Sequence, residues 1–160
     1  MSNKLNDDLV FMIECATQAP SGHNTQPWIF EINHETLFIC PDFARRLPVV
    51  DVDDRELFIS LGCATENLCL AAAKRGYATQ VKVDGEKIAV HLLKINTAEE
   101  SPLFNSIGQR QANRLIYDGR EIPAAILNSI LQQSIQENAV DISAWGRNSR
   151  EFERLTQYVM

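Results

Sequence analysis

Ala19-Pro20-Ser21-Gly22-His23-Asn24-Thr25-Gln26-Pro27-Trp28 is a polar, turn-rich stretch between two segments of strong hydrophobic order. Upstream, Leu5, Leu9, Met12, Ile13 and Ala16 recur at helical spacing, and Asn6, Asp7 and Asp8 are expected in the first turn, where the helix dipole favours negative charge. Downstream the period changes to two, with Trp28, Phe30 and Ile32 on one face of a strand and Ile29 and Glu31 on the other. Pro20 and Pro27 fix their own φ and push the residue before each away from helix, so the segment between them is expected to be extended. It holds a hydroxyl, a glycine, an imidazole and two carboxamides, which offer donors and acceptors without fixed charge. Gly22 lets a ligand approach the backbone closely. Such a set suits a flat, neutral ring with a heteroatom edge. It also suits a proline-bounded connector that caps its neighbours, and the stretch alone leaves both readings open.

Working outward, Asn33-His34-Glu35 turns the first strand into Thr36–Cys40, a hairpin in which His34 is a turn residue. A connector, Arg45–Asp51, leads to the longest helix, from about Asp54 to Arg75 and ended by Gly76. Its stripe of Leu57, Leu61, Ala64, Thr65, Leu68 and Ala72 is widened by Phe58, Ile59, Leu70 and Ala71, so the helix should be central or buried in an interface. Arg55-Glu56 reads either as a first-turn ion pair capping that helix or as a functional pair. Ala78–Val83 and Lys87–Ile95 form a second hairpin at Asp84-Gly85, with His91 on a strand face. Ser101-Pro102 opens a short helix through Ile107, and Pro123 begins a longer one through Ile126, Ile130 and Ile135. Ala139–Ala144 reads as a strand and Asn148–Met160 as a last helix. The fold class is therefore α+β.

The chain's 160 residues, 18.0 kDa in mass, suit one domain with a real core. A net charge of −6 without a basic run argues against nucleic acid or an anionic membrane as partner. The start has no apolar leader and no twin arginine, and no apolar run reads as long enough to span a bilayer. Cys15, Cys40, Cys63 and Cys69 lack Cys-x-x-Cys spacing, and three lie on apolar stripes, so they read as buried thiols of a reducing cytoplasm. His23, His34 and His91 are scattered, which argues against zinc. No Ser-His-Asp or Cys-His arrangement and no Gly-x-Gly-x-x-Gly after a strand is present, so neither nucleophilic catalysis nor a Rossmann dinucleotide site is indicated.

A second constellation lies at Arg110-Gln111-Ala112-Asn113-Arg114-Leu115-Ile116-Tyr117-Asp118-Gly119-Arg120-Glu121-Ile122-Pro123. Were the segment helical, Arg110 and Arg114 would share a face, with the Asn113 amide beside them. Two guanidinium forks suit a phosphate. A solvated basic turn of helix is the plain alternative.

The first stretch, arriving from an amphipathic helix and running into a strand, resembles the Ala-Pro-Ser-x-x-Asn-x-Gln-Pro-Trp signature of the nitroreductase-like flavoproteins. Arg110-x-x-Asn-Arg114 followed by Tyr-Asp-Gly-Arg-x-Ile-Pro123 is similar to the Arg-Arg-Ser-x-Arg-x-Phe motif of the same family. Arg55-Glu-Leu-Phe-Ile-Ser-Leu-Gly-Cys-Ala64, and the placing of the arginine motif after the Pro-Ser motif, look like the Acg-type branch, in which two such halves are fused in tandem.

The resemblance implies a mainly antiparallel central sheet flanked by helices and shared between two subunits. It implies a nitroreductase-like domain over 1–160, with a first half at 1–96 and the start of a second at 97–160. FMN would be the cofactor, with Pro20, Ser21, Gly22, His23, Asn24 and Gln26 beside the ring, and Arg110, Asn113 and Arg114 at its phosphate or ring carbonyl. The implied activity is hydride transfer from NAD(P)H through the flavin to a nitroaromatic or quinone-like acceptor, with no catalytic side chain. The partner implied is a second copy, as a homodimer with flavin sites at the interface. The family's N5-contacting loop and C-terminal basic residues have no counterpart here, so the chain looks like a tandem protein cut short. The alternative is a non-catalytic flavin-binding or sequestering module, or a degenerate half-protein.

Overall fold

The computed structural model describes residues 3–95, 101–134 and 142–159, which divide into two compact units, 1–112 and 113–160. In the first unit, helix α1 (Asn3–Thr17) is followed by a hairpin of β1 (Trp28–Asn33) and β2 (Thr36–Pro41). Helix α2 (Arg55–Lys74) comes next, then a second hairpin of β3 (Tyr77–Asp84) and β4 (Lys87–Lys94). The strands form one antiparallel sheet in the order β1-β2-β4-β3, with Phe30 opposite Ile39, Ile39 opposite Ile88 and Ile88 opposite Val83. These elements match the α+β pattern read from the periodicities. Helix α2 packs against the sheet and against α1, the central position that its wide apolar band implied. Met12 and Ala16 of α1, Leu61, Ala64 and Leu68 of α2, and Leu37, Ile39 and Val90 of the sheet are fully buried in one core.

By length and apolar composition α2 could cross a bilayer, contrary to the expectation from run lengths. Here its Leu57, Leu61, Leu68 and Ala72 lie inside the protein core.

The start of α2 differs from the sequence reading. Arg55 and Glu56 form no capping ion pair; instead the buried Asp51 reaches forward, its two oxygens accepting from the backbone N–H of Glu56 and of Leu57, both at 2.9 Å. Those N–H groups have no partner inside the helix, and the positive end of the dipole favours the carboxylate. Asp54, the residue before the helix, is left-handed (φ 56°) and makes no capping bond with its side chain. At the other end Gly76 (φ +77°) ends α2 as expected, and a Cβ there would stand 3.3 Å from the Ile95 carbonyl oxygen.

A second correction concerns α1. It begins at Asn3, so its first turn carries no acidic residue. Asp8 is buried and accepts from the Tyr77 hydroxyl at 3.1 Å, with Arg75 Nε at 3.6 Å and Lys94 Nζ at 3.9 Å. It therefore ties α1 to the end of α2 and to the second hairpin. A buried carboxylate is tolerated only when so surrounded.

The short helix after Ser101 is a 3-10 turn, Pro102–Ser106. In the second unit, helices α3 (Ala124–Ser134) and α4 (Arg150–Val159) fall where they were expected. Ile135 and positions 139–141 of the expected strand lie outside the described residues, and Ile142–Ala144 is not extended into a strand. All four cysteines are free, Cys15 and Cys40 buried and Cys63 and Cys69 half-buried.

Replacing Asp51 by Ala should cost about 2–3 kcal/mol in urea unfolding, because one buried and one part-buried helix donor lose their acceptor; Asn, which keeps one acceptor oxygen, should cost about half as much. Alkaline pH supplies another check. Burial, with the hydrogen bond to the Asp8 carboxylate adding to it, raises the Tyr77 phenol above its ordinary 10.0. Burial likewise raises the Cys15, Cys40 and Cys69 thiols above 9.0. Each group holds its proton more tightly folded than unfolded, so its contribution is complete below the unfolded value and is lost as pH rises through the folded one. Urea midpoints should therefore fall above about pH 9, and Tyr77→Phe should remove part of that fall.

Candidate functional site

Between α1 and β1 the chain does not run extended. Gly22–Asn24 makes a 3-10 turn, with Asn24 N–H donating to the Ser21 carbonyl and Thr25 N–H to that of Gly22, both at 3.0 Å. His23, Asn24 and Gln26 have φ of 49°, 57° and 51°. Left-handed backbone at non-glycine residues costs energy and persists only where the surroundings impose it. The surroundings are specific. Ser21 Oγ accepts from Gln26 N–H at 2.9 Å, Gln26 Nε2 donates to the Thr17 carbonyl at 3.3 Å, and Trp28 N–H closes a tight turn onto the Gln26 carbonyl at 2.9 Å. Arg45 Nη1 donates to the Thr25 carbonyl at 3.3 Å from the outside. The prolines bound the loop, but these side-chain bonds shape it, which is why a reading from proline alone made it extended.

The loop is pressed against α2. Pro20, Ser21 and Gly22 form one wall of an open groove of about 240 Å³, and Glu56, Ile59, Ser60 and Cys63 form the other. The helix residues stand at i, i+3, i+4 and i+7, the spacing of a single helix face. Gly22 is needed for the close approach, because a Cβ on it would meet Glu56 Oε2 at 2.9 Å and Leu47 Cδ1 at 3.5 Å. Ser60 Oγ donates to its own helix at the Glu56 carbonyl (2.7 Å), so that hydroxyl's proton is already in use. The Ser21 hydroxyl accepts from the loop and keeps its proton available to donate. Pro20, Ile59 and the bare Cα of Gly22 make the groove flat and largely neutral, which fits the ring of a flavin. Glu56 is its one formal charge and does not fit a phosphate.

Of the other residues singled out in the sequence, His23 and Asn24 are exposed on the loop and do not line the groove. Gln26 braces the loop from within. Arg110 is brought to the same end of α1, where Nη2 donates to the Gln18 carbonyl at 3.1 Å, two residues before Pro20. The segment from Arg110 to Pro123 is not helical, so Arg110 and Arg114 are not set on one helix face. Asn113 and Arg114 belong to the second unit, where Asn113 Oδ1 accepts from Leu115 N–H at 2.9 Å in a local turn and Arg114 is exposed. Among the described residues no group of three or more His, Cys, Asp and Glu side chains is placed to hold a metal ion. Ile59 escaped the sequence reading as a site residue because it was absorbed into the apolar band of α2, Cys63 because it was read as a buried thiol, and Ser60 because it stood only as part of the Arg55–Ala64 run. Their spacing with Glu56 was the available signal.

A larger open trough of about 570 Å³ lies on the sheet face away from α2, lined by Ile29, Phe38 and Phe43 beside the Glu31–Lys87 ion pair (2.8 Å). Cys40 lines it, but none of the residues expected beside a flavin does.

Comparison with known proteins places this geometry in context. No family model matches the chain. Proteins from two strains of Mycobacterium tuberculosis, each named "Putative NAD(P)H nitroreductase", are 31% identical over 121 residues. The match covers 70% of this chain and 35% of each relative, so the chain spans about a third of the length of the curated relatives it matches. Among solved structures, a protein from Parabacteroides distasonis named "Putative NADH dehydrogenase/NAD(P)H nitroreductase" aligns at 13% identity and a TM-score of 0.46, covering 71% of this chain and 86% of that one. A nitroreductase family protein from Streptococcus pneumoniae aligns at 15% and 0.45, covering 68% and 89%. The sequence likeness to the mycobacterial proteins supports the nitroreductase resemblance carried by the Pro20 and Arg110 motifs.

The contact under Gly22 is with the far end of a side chain, not with backbone. Gly22→Ala should therefore fold, losing less than about 1 kcal/mol in urea as the Glu56 carboxylate swings aside. A loss above about 3 kcal/mol would show that Gly22 is held against something rigid.

Proposed function

We propose that the chain is part of a nitroreductase-type, FMN-dependent NAD(P)H oxidoreductase that passes a hydride to a nitroaromatic or quinone-like acceptor. The observation that carries this reading is the groove at Pro20-Ser21-Gly22. The residues whose order resembles the flavin-contacting signature are the ones that shape a flat, mostly neutral wall against α2. When bound, the flavin supplies hydride acceptance and return. The chain's own residues bind and orient. Ser21, Gly22, Pro20 and Ile59 would hold the ring, the first two offering a hydroxyl and a bare backbone and the last two an apolar wall, and Arg110, beside Gln18, would supply positive charge near the loop. No side chain needs to move a proton.

The site is open on one side, and its volume falls below the roughly 300–1,000 Å³ of a complete ligand pocket. A second copy of the chain completes it in this reading, as a homodimer with the flavin at the interface. Large apolar side chains stand exposed around the start of α2, including Val49 at 87%, Val52 at 83% and Ile59 at 50%, as a protein–protein interface requires. With four free thiols, the reading places the protein in a reducing cytoplasm.

One observation favours a second reading, a flavin-binding module without turnover. Arg110 is tied to the Gln18 carbonyl, and it shares no helix face with Arg114.

Titration of the purified chain with FMN should give a yellow protein, dimeric by sedimentation, that oxidises NADPH or NADH when an electron-poor nitroaromatic is added. Uptake of FMN without NAD(P)H oxidation would support the second reading, and absence of uptake would overturn both.

A further inference from the structure

Glu56 is the one charged residue of the groove, and its side chain serves neither the core nor the loop. Its backbone N–H is held by Asp51, but among the described residues its carboxylate has no hydrogen-bond donor and no ion-pair partner. Arg45, the nearest arginine along the loop, is engaged by Asp42 at 3.2 Å, and Arg46 is engaged by Asp54 at 3.8 Å. Oε2 stands in the wall of the groove, 2.9 Å from where a Cβ on Gly22 would be. The remaining lining groups are a proline, a glycine, two hydroxyls, an isoleucine and a thiol, so Glu56 is the groove's one formal charge, although it also borders a smaller cavity lined by Arg45 and Arg46.

We propose that the Glu56 carboxylate sets the charge selectivity of this groove, disfavouring anionic aromatic acceptors and favouring neutral or cationic ones of the same shape. The proposal rests on the reading of the groove as the flavin and acceptor site. Its physical basis is direct: a second negative charge brought within a few ångströms of an unpaired carboxylate is repelled, and an open groove screens that repulsion without abolishing it. Specificity then arises from a repulsive element and not from a better contact. Gly22 has a part in this, because a Cβ there would meet Oε2 of the exposed Glu56 at 2.9 Å, so its absence leaves the carboxylate room beside the loop.

The experiment compares para-nitrobenzamide with para-nitrobenzoate, which share ring, nitro group and outline and differ by one unit of charge. Dissociation constants are read from the perturbation of the flavin spectrum of the oxidised, FMN-loaded protein with no reductant present. The ratio of kcat/KM for the two compounds is then measured with NAD(P)H. The unaltered protein should bind the amide about threefold to tenfold more tightly, with the preference shrinking as salt is added. Glu56→Gln should bring the two constants together, and Glu56→Lys should invert their order. Glu66→Gln removes the same charge from the exposed side of α2 about 15 Å further along the helix, and should leave the ratio unchanged. An unchanged ratio in Glu56→Gln, or a preference for the acid in the unaltered protein, overturns the proposal while leaving the flavin reading in place. Failure to take up FMN, seen before either compound is added, overturns the functional reading and this proposal together.

Discussion

The capping of α2 by Asp51 is the interaction on which the rest of the first unit depends. A helix of 20 residues packed between a sheet and another helix has nowhere to put its first N–H groups unless an acceptor is carried in with it. Asp51 does this from outside the helix, and its own N–H is bonded to the Leu47 carbonyl at 2.8 Å, so the connector is wound into a turn at that point. That turn brings Leu47 beside Gly22 and fixes the direction in which α2 leaves. The same bond that satisfies the helix therefore sets the distance between the Pro20 loop and the α2 face, and so makes the groove.

Two buried carboxylates divide the work of holding the unit. Asp51 fixes the beginning of α2. Asp8, reached by a phenol and flanked by two cations, joins its end to α1 and to β3 and β4. Lys94 Nζ also donates to the Arg75 carbonyl at 2.7 Å and lies over the Tyr77 ring, while the Arg75 guanidinium lies over Phe11. With both ends anchored, the side of α2 turned to the loop is free to carry residues that do nothing for stability. Glu56 and Ile59 are exposed there, whereas Cys63 also packs against the core.

The strained loop follows the same logic. Three left-handed residues in a row of four positions would relax if the loop were merely a connector. They are held by Ser21, Gln26 and Arg45, each bonding a backbone group and none of them a charged partner in the groove. The polar residues that looked like ligand contacts in the sequence thus divide into those that shape the loop and those left to face a ligand.

Sequence periodicity alone determined the elements. The spacing of Leu9, Met12 and Ala16, the alternation from Trp28 and from Lys87, and the glycine after Arg75 are each satisfied within one element, so a local pattern suffices to read them. The resemblance of residues 19–28 likewise marked the loop that the groove is built on. What the sequence could not show was which groups meet across distance. Arg110 finds Gln18 across 92 positions, Asp8 finds Tyr77 across 69, and Glu56 comes under Gly22 because a helix and a loop are set side by side. A side chain's periodicity records the face it occupies, whereas its partner is fixed by where the other element is placed. Only the tertiary structure decides that placement, and with it the division between bracing residues and those that meet a ligand.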